Sequence, residues 1–200
     1  VLDGNFYNVE RGRGGFMKRI IFFVVAAAFM MTAHVSMSCV GKTIHLGISN
    51  ANERLMAEMA SLMITERTGS SVKIEVYKDS RSLYDAVKQG KVNIIMENTD
   101  RAQEVLGRAK GAAPAGMEAI KSEYRKSMNL TWLNPFGVTP QYAPVLTSDT
   151  LSNYPALPKL LNKLAGVLSN DTYAKLLKSV ESDDKTKKIA KDFLKGKKLI

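Results

Sequence analysis

The sequence predicts an α/β fold: a mostly parallel sheet flanked by helices, with a helical C-terminal tail. Three observations carry this. Short apolar runs at residues 43–49, 72–76 and 92–96 alternate with segments of helical periodicity. Helix-stop glycines, Gly69 and Gly90, close each helical segment before the next run. After residue 150, apolar residues recur only at helical spacing. Strands separated by helices of this length favour parallel pairing through right-handed crossovers, and such sheets bind ligands beyond the carboxyl ends of their strands.

Taken in order, Ile44, Leu46 and Ile48 share one face of the first strand. Asn50-Ala51-Asn52-Glu53 has capping-box spacing, and Leu55, Met59, Leu62 and Met63 then mark a helix that ends at Gly69. Val72, Ile74 and Val76 form the second strand. Ser80 or Ser82 caps a helix with Leu83, Ala86 and Val87 inward, and residues 92–96 form the third strand. A helical pattern through Ala102, Val105, Leu106 and Ala109 breaks at Gly111-Ala112-Ala113-Pro114, and a further helix covers residues 115–128. Residues 130–133 read as a short strand. Residues 134–140 form a turn-rich connector, and residues 142–146 are extended, with Pro144 favouring an edge position. Leu157, Leu160, Leu161, Leu164 and Leu168 describe one amphipathic helix. Ser169-Asn170-Asp171 caps a second through Leu177, and Asp183 or Asp184 caps the last, where Ile189, Ala190, Phe193 and Leu194 pack.

The N-terminal part has a different character. Met17-Lys18-Arg19, an apolar core at residues 20–31 and a small or polar exit at residues 32–38 make the three regions of a bacterial signal peptide. The apolar core is well short of the roughly 20 residues of a membrane-spanning helix. Residues 1–16 read as a spurious or disordered leader, and residues 39–200 as one domain, in the periplasm or on the outer face of the cytoplasmic membrane. Cys39 is the one cysteine, which excludes an intramolecular disulfide. It stands where a lipoprotein carries its acylated first residue. Ser36-Met37-Ser38 keeps the small residue before the cysteine and lacks the aliphatic one three before it, so lipidated and unmodified ends both stay open.

Composition narrows the function. The formal charge is +10, yet much of the excess lies at residues 185–198, spaced around the apolar positions of a helix, a pattern that argues against nucleic acid. There is no Cys/His cluster. His34 lies in the signal segment and His45 in a strand, leaving no material for a metal site or histidine catalysis. No glycine-rich phosphate loop occurs, no nucleophile is paired with a base, and no cofactor is implied.

The C-terminal half carries a resemblance. Pro140-Gln141-Tyr142-Ala143-Pro144-Val145, Tyr154-Pro155-Ala156-Leu157, Leu161-Asn162-Lys163-Leu164-Ala165-Gly166-Val167-Leu168-Ser169 and Ile189-Ala190-Lys191-Asp192-Phe193-Leu194 resemble the end of substrate-binding proteins of glycine betaine/choline-type osmoprotectant ABC transporters. Gly47-Ile48-Ser49-Asn50-Ala51-Asn52-Glu53 falls on that family's opening strand, and Gly90-Lys91-Val92-Asn93 with Glu97-Asn98 on its third, where Asn98 replaces the family tyrosine. Trp132-Leu133-Asn134-Pro135-Phe136-Gly137 matches text that leads into a second lobe. Here Pro140-Gln141-Tyr142 follows almost at once, so the resemblance implies a single periplasmic-binding-protein-like lobe.

The resemblance implies a small quaternary ammonium solute held against aromatic faces by cation–π attraction, and an ABC permease as partner. The candidates are Trp132, Tyr142 and Phe136, each a ligand wall or a core residue. Glu97 either meets a cation or accepts from the next helix's N-terminus. Asn50, Glu53 and Asn98 complete the set, the first two as ligand contacts or caps. One lobe offers one wall of a cleft, which a second copy in a homodimer could complete. The reading from another class is a periplasmic protein-interaction module that traps no solute.

Overall fold

A computed structural model describes residues 43–108, 116–136, 140–180 and 183–200. Residues 1–42, including the segment expected to be a signal peptide and Cys39, lie outside them, as do Ala109, the break expected at residues 111–114, and residues 137–139. The strands are β1 (Ile44–Ile48), β2 (Val72–Val76), β3 (Ile94–Asn98), β4 (Leu130–Trp132) and β5 (Tyr142–Thr147). The helices are α1 (Arg54–Thr68), α2 (Ser80–Lys88), α3 (Thr99–Val105), α4 (Met117–Met128), α5 (Ser148–Asn153), α6 (Leu157–Leu161), α7 (Asn170–Lys178) and α8 (Asp183–Gly196).

The strands form one sheet in the order β2-β1-β3-β5-β4. β1 is parallel to both β2 and β3, while β5 is antiparallel to both β3 and β4. Four strands therefore point one way and β5 alone runs back. This is the only sheet among the described residues.

The edge position expected for residues 142–146 is not found, because β5 lies between β3 and β4 with Pro144 opposite Met96. An antiparallel residue directs its N–H and C=O to the same neighbour. The Pro144 carbonyl accepts from the Leu133 N–H at 2.9 Å, so its missing donor faces the side where short β4 has just ended. No ladder bond to β3 is lost, which is how a central strand tolerates this proline.

Two apolar layers cover the sheet. Ile44, Leu46, Ile48, Ile94, Met96 and Leu146 pack against α1, α6, α7 and α8. Ile95, Ala143, Val145, Leu130 and Trp132 pack against α2, α3 and α4. Gly47 faces the second layer. A Cβ there would lie 2.5 Å from Leu83 Cδ1, so α2 sits as close to β1 as it does because residue 47 has no side chain.

Local signals fixed most boundaries. Gly69 ends α1 at φ 70°, a left-handed conformation that suits glycine. Asp79, rather than Ser80 or Ser82, caps α2: its carboxylate accepts from the Ser82 N–H at 2.8 Å, and the Ser82 hydroxyl faces the Asp79 N–H in return. The leucine-rich helix expected through Leu168 stops at Leu161 and continues as a 3-10 turn over Asn162–Leu164. Leu164 and Leu168 are buried all the same, from a turn that Gly166 closes at φ 77°. Ser169 caps α7 as expected, and Ala190 and Leu194 bury α8 against the first layer. The side chains of Asp183 and Asp184 are outside the description.

Candidate functional site at the carboxyl edge of the sheet

Parallel strands bring Ser49, just past β1, and Glu97 and Asn98, at the end of β3, to one edge. Because β5 runs backwards, its first residue Tyr142 pairs with Asn98 there, and β4 ends at the same edge with Trp132. Asn98 closes β3 by capping α3, its side-chain oxygen accepting from the N–H groups of Asp100 at 3.1 Å and Arg101 at 2.9 Å. That cap directs the first turn of α3 back over the strand ends and carries Arg101 inward.

Arg101 is the hub of a buried polar cluster. Its Nε donates to Glu97 Oε1 at 2.6 Å, and its Nη1 to Glu53 Oε1 at 2.7 Å and to the Ser49 hydroxyl at 2.6 Å. Its Nη2 donates to the Met96 carbonyl. Glu53 and Glu97 are both 0% exposed and Arg101 only 7%. Glu97 also accepts from the Asn98 N–H at 2.8 Å and from the hydroxyls of Tyr84 and Tyr124. Glu53 Oε2 accepts from the Ser49 N–H at 2.9 Å.

Two carboxylates thus share one guanidinium in a dry site. Burial pushes the Glu53 carboxyl above the usual carboxylate range, against the pull of Arg101. Arg101 stays charged because Glu97 and Glu53 outweigh its desolvation. The Tyr84 and Tyr124 hydroxyls are held protonated, first by burial and then by the Glu97 charge. The capping box read from Asn50 and Glu53 is half formed. Asn50 accepts from the Asn52 N–H at 2.9 Å, while the Glu53 carboxylate passes over the Asn50 N–H to reach Ser49 and Arg101.

The three candidate aromatics do not share one wall. Phe136 and Tyr142 pack in the layer that contains α1. Trp132 lies in the opposite layer, edge-on to Tyr124 with ring centroids 5.3 Å apart. All three are covered by their own chain, at 5%, 1% and 8% exposure for Trp132, Phe136 and Tyr142. Two members of this edge escape the sequence reading. Arg101 looks like an ordinary helical cation, although its i+4 spacing from Glu97 is a usable signal. Tyr173 comes from α7, far along the chain, and donates its hydroxyl to the Asn52 carbonyl.

Residues 42–150 match the model of a family described as the substrate binding domain of an ABC-type glycine betaine transport system. The chain belongs to this family. It is a family of substrate-binding domains of ABC-type glycine betaine transport, which bind and do not catalyse. No curated protein sequence matches the chain. The fold is similar to a crystal structure of a glycine betaine/carnitine/choline ABC transporter, with TM-score 0.66 and 14% identity, over 79% of this chain and 98% of that one. It is likewise similar to apo YehZ from Escherichia coli, with TM-score 0.68 and 14% identity, over 80% of this chain and 100% of that one. At such identity these likenesses speak for the fold alone. The match of the family model spans the whole polar cluster from Ser49 to Arg101, together with Tyr142. Among the described residues no helix is long and apolar enough to cross a membrane, and no group of side chains could hold a metal ion.

Proposed function

We propose that the chain is the solute-recognition component of an ABC importer for a quaternary ammonium osmoprotectant such as glycine betaine or choline. It works in the periplasm or on the outer face of the cytoplasmic membrane and takes the solute at the carboxyl edge of the sheet. The observation that carries this reading is the charge imbalance there, two buried carboxylates against one guanidinium. Tyr142, which pairs with Asn98 beside Glu97, and Tyr173, whose hydroxyl donates to the carbonyl of Asn52 next to Glu53, stand at the same edge. A solute cation against those rings would balance the cluster and gain cation–π attraction.

One lobe gives the solute one wall, and a second copy placed edge to edge supplies the other. Mass action then couples binding to dimerisation. Isothermal titration with glycine betaine and choline, paired with sedimentation of the same samples, tests this. Solute should raise the dimer fraction, and a strict monomer that binds micromolar solute would contradict the paired arrangement. Cys39 is proposed as a lipid anchor, which mass spectrometry of the mature N-terminus tests: an unmodified cysteine removes it.

The coverage of Trp132, Phe136 and Tyr142 by their own chain favours a second reading, a periplasmic interaction module without solute trapping. Absence of binding by any such solute, in either oligomeric state, selects it.

A further inference from the structure

The amino edge of the sheet, opposite the polar cluster, holds a cleft of about 530 Å³. It opens where β3 and β4 begin and β5 ends, bounded by Asn93, Leu130 and Thr147. Its size falls within the roughly 300–1,000 Å³ of small-molecule sites. Val87, Val92 and Leu130 give the lining an apolar part, beside the polar Asn93, Asn129 and Thr147. The rim is cationic. Lys88 comes from the end of α2, and Arg125 and Lys126 from the last turn of α4, so two helices of one layer deliver their positive charge to one opening.

The ordinary role of cations in a last helical turn is to offset the negative end of the helix dipole. Both helices lead into strands that start at this edge, which brings their last turns and these cations to one opening. All three are exposed, and none forms an ion pair with another described residue. Asp149 is the one acid in the lining, leaving the opening with net positive charge.

We infer that this cleft binds an organic anion: a phosphate or carboxylate group held by Lys88, Arg125 and Lys126, with a short apolar body laid on Val87, Val92 and Leu130. The site is independent of the cationic solute proposed for the opposite edge, and the two ligands carry opposite charge.

The test is isothermal titration of the full chain with decyl phosphate below its micellar concentration, with inorganic phosphate and the uncharged octyl glucoside as comparisons. Decyl phosphate should bind at least tenfold more tightly than either. The double substitution Arg125→Glu with Lys126→Glu should weaken it at least tenfold, as should the separate Lys88→Glu, which keeps the test open if the double variant fails to fold. Equal binding of octyl glucoside, unchanged binding in the folded variants, or no binding of decyl phosphate would each overturn the assignment.

Discussion

Arg101 Nη1 meets Glu53 Oε1 at 2.7 Å, an ion pair that ties the helix after β3 to the turn after β1 across the carboxyl edge. Through Nε the same guanidinium holds Glu97, so one side chain fixes the geometry of both strand ends.

Replacing Arg101 by Ala leaves two carboxylates buried without their cation. Breaking a buried pair from one side costs about 3–5 kcal/mol. Lys should recover only part of this, because a single ammonium cannot reproduce a planar fork that reaches Glu53, Glu97, Ser49 and Met96 together. Urea unfolding measures both variants, and a loss below about 1 kcal/mol for Arg101→Ala would contradict a hub role.

Glu53→Gln should behave differently, since it leaves one carboxylate for one guanidinium. Burial raises the folded-state pKa of Glu53 above its unfolded value near 4.5, so the folded chain holds that proton more tightly. Its contribution to stability therefore falls as pH rises through that window. Melting temperatures from pH 4 upward should show this decline in the parent chain and a flatter profile in Glu53→Gln. Identical slopes would show that Glu53 does not titrate across that window.

Glu75 works in the opposite sense. Hydrogen bonds from His45 at 2.9 Å, then Tyr77 and Lys73, pull its carboxyl down to about 2. A depressed carboxylate contributes stability above its unfolded pKa and loses it as pH falls towards the folded one. The stability gap between the parent chain and Glu75→Gln should be full above about pH 4.5 and vanish near pH 2. A gap that stays constant in acid would show that the carboxylate itself contributes nothing.

The order β-α-β-α-β was legible because each element carries its own stop signal, such as Gly69 after α1 and Gly90 after α2. The carboxyl edge followed from that order, so Asn50, Glu53, Glu97 and Asn98 were placed at the edge they occupy. What sequence could not supply was register between distant segments. Trp132 and Tyr142 are close in the chain, yet Trp132 pairs with Val145 and shares its layer, while Tyr142 pairs with Asn98 and faces the other way. Pro144 misled for a similar reason, since its tolerance depends on where β4 ends and not on its own neighbours. Arg101 was hidden because a helical arginine is usually solvated, and only the Asn98 cap turns this one inward.

Gly47→Ala should destabilise the chain by about 1–3 kcal/mol, the usual penalty for forcing volume into a packed layer. The added Cβ collides with Leu83, so Gly47→Ala combined with Leu83→Ala should cost less than the sum of the two alone. A double-mutant cycle in urea reads this coupling, and strict additivity would place the strain elsewhere.

Leu194→Ala should cost about 2–5 kcal/mol, because Leu194 is fully buried in the layer that joins α8 to α1. An unchanged urea midpoint would make the C-terminal helix an appendage, not part of the domain.

Recognition of a cationic solute at the carboxyl edge is tested most directly by an amide-resolved NMR titration of the chain with glycine betaine. Saturable shifts should cluster at Asn50, Asn98, Tyr142 and Tyr173 and weaken in Glu53→Gln. No shifts at these positions, or shifts that cluster away from this edge, would contradict it.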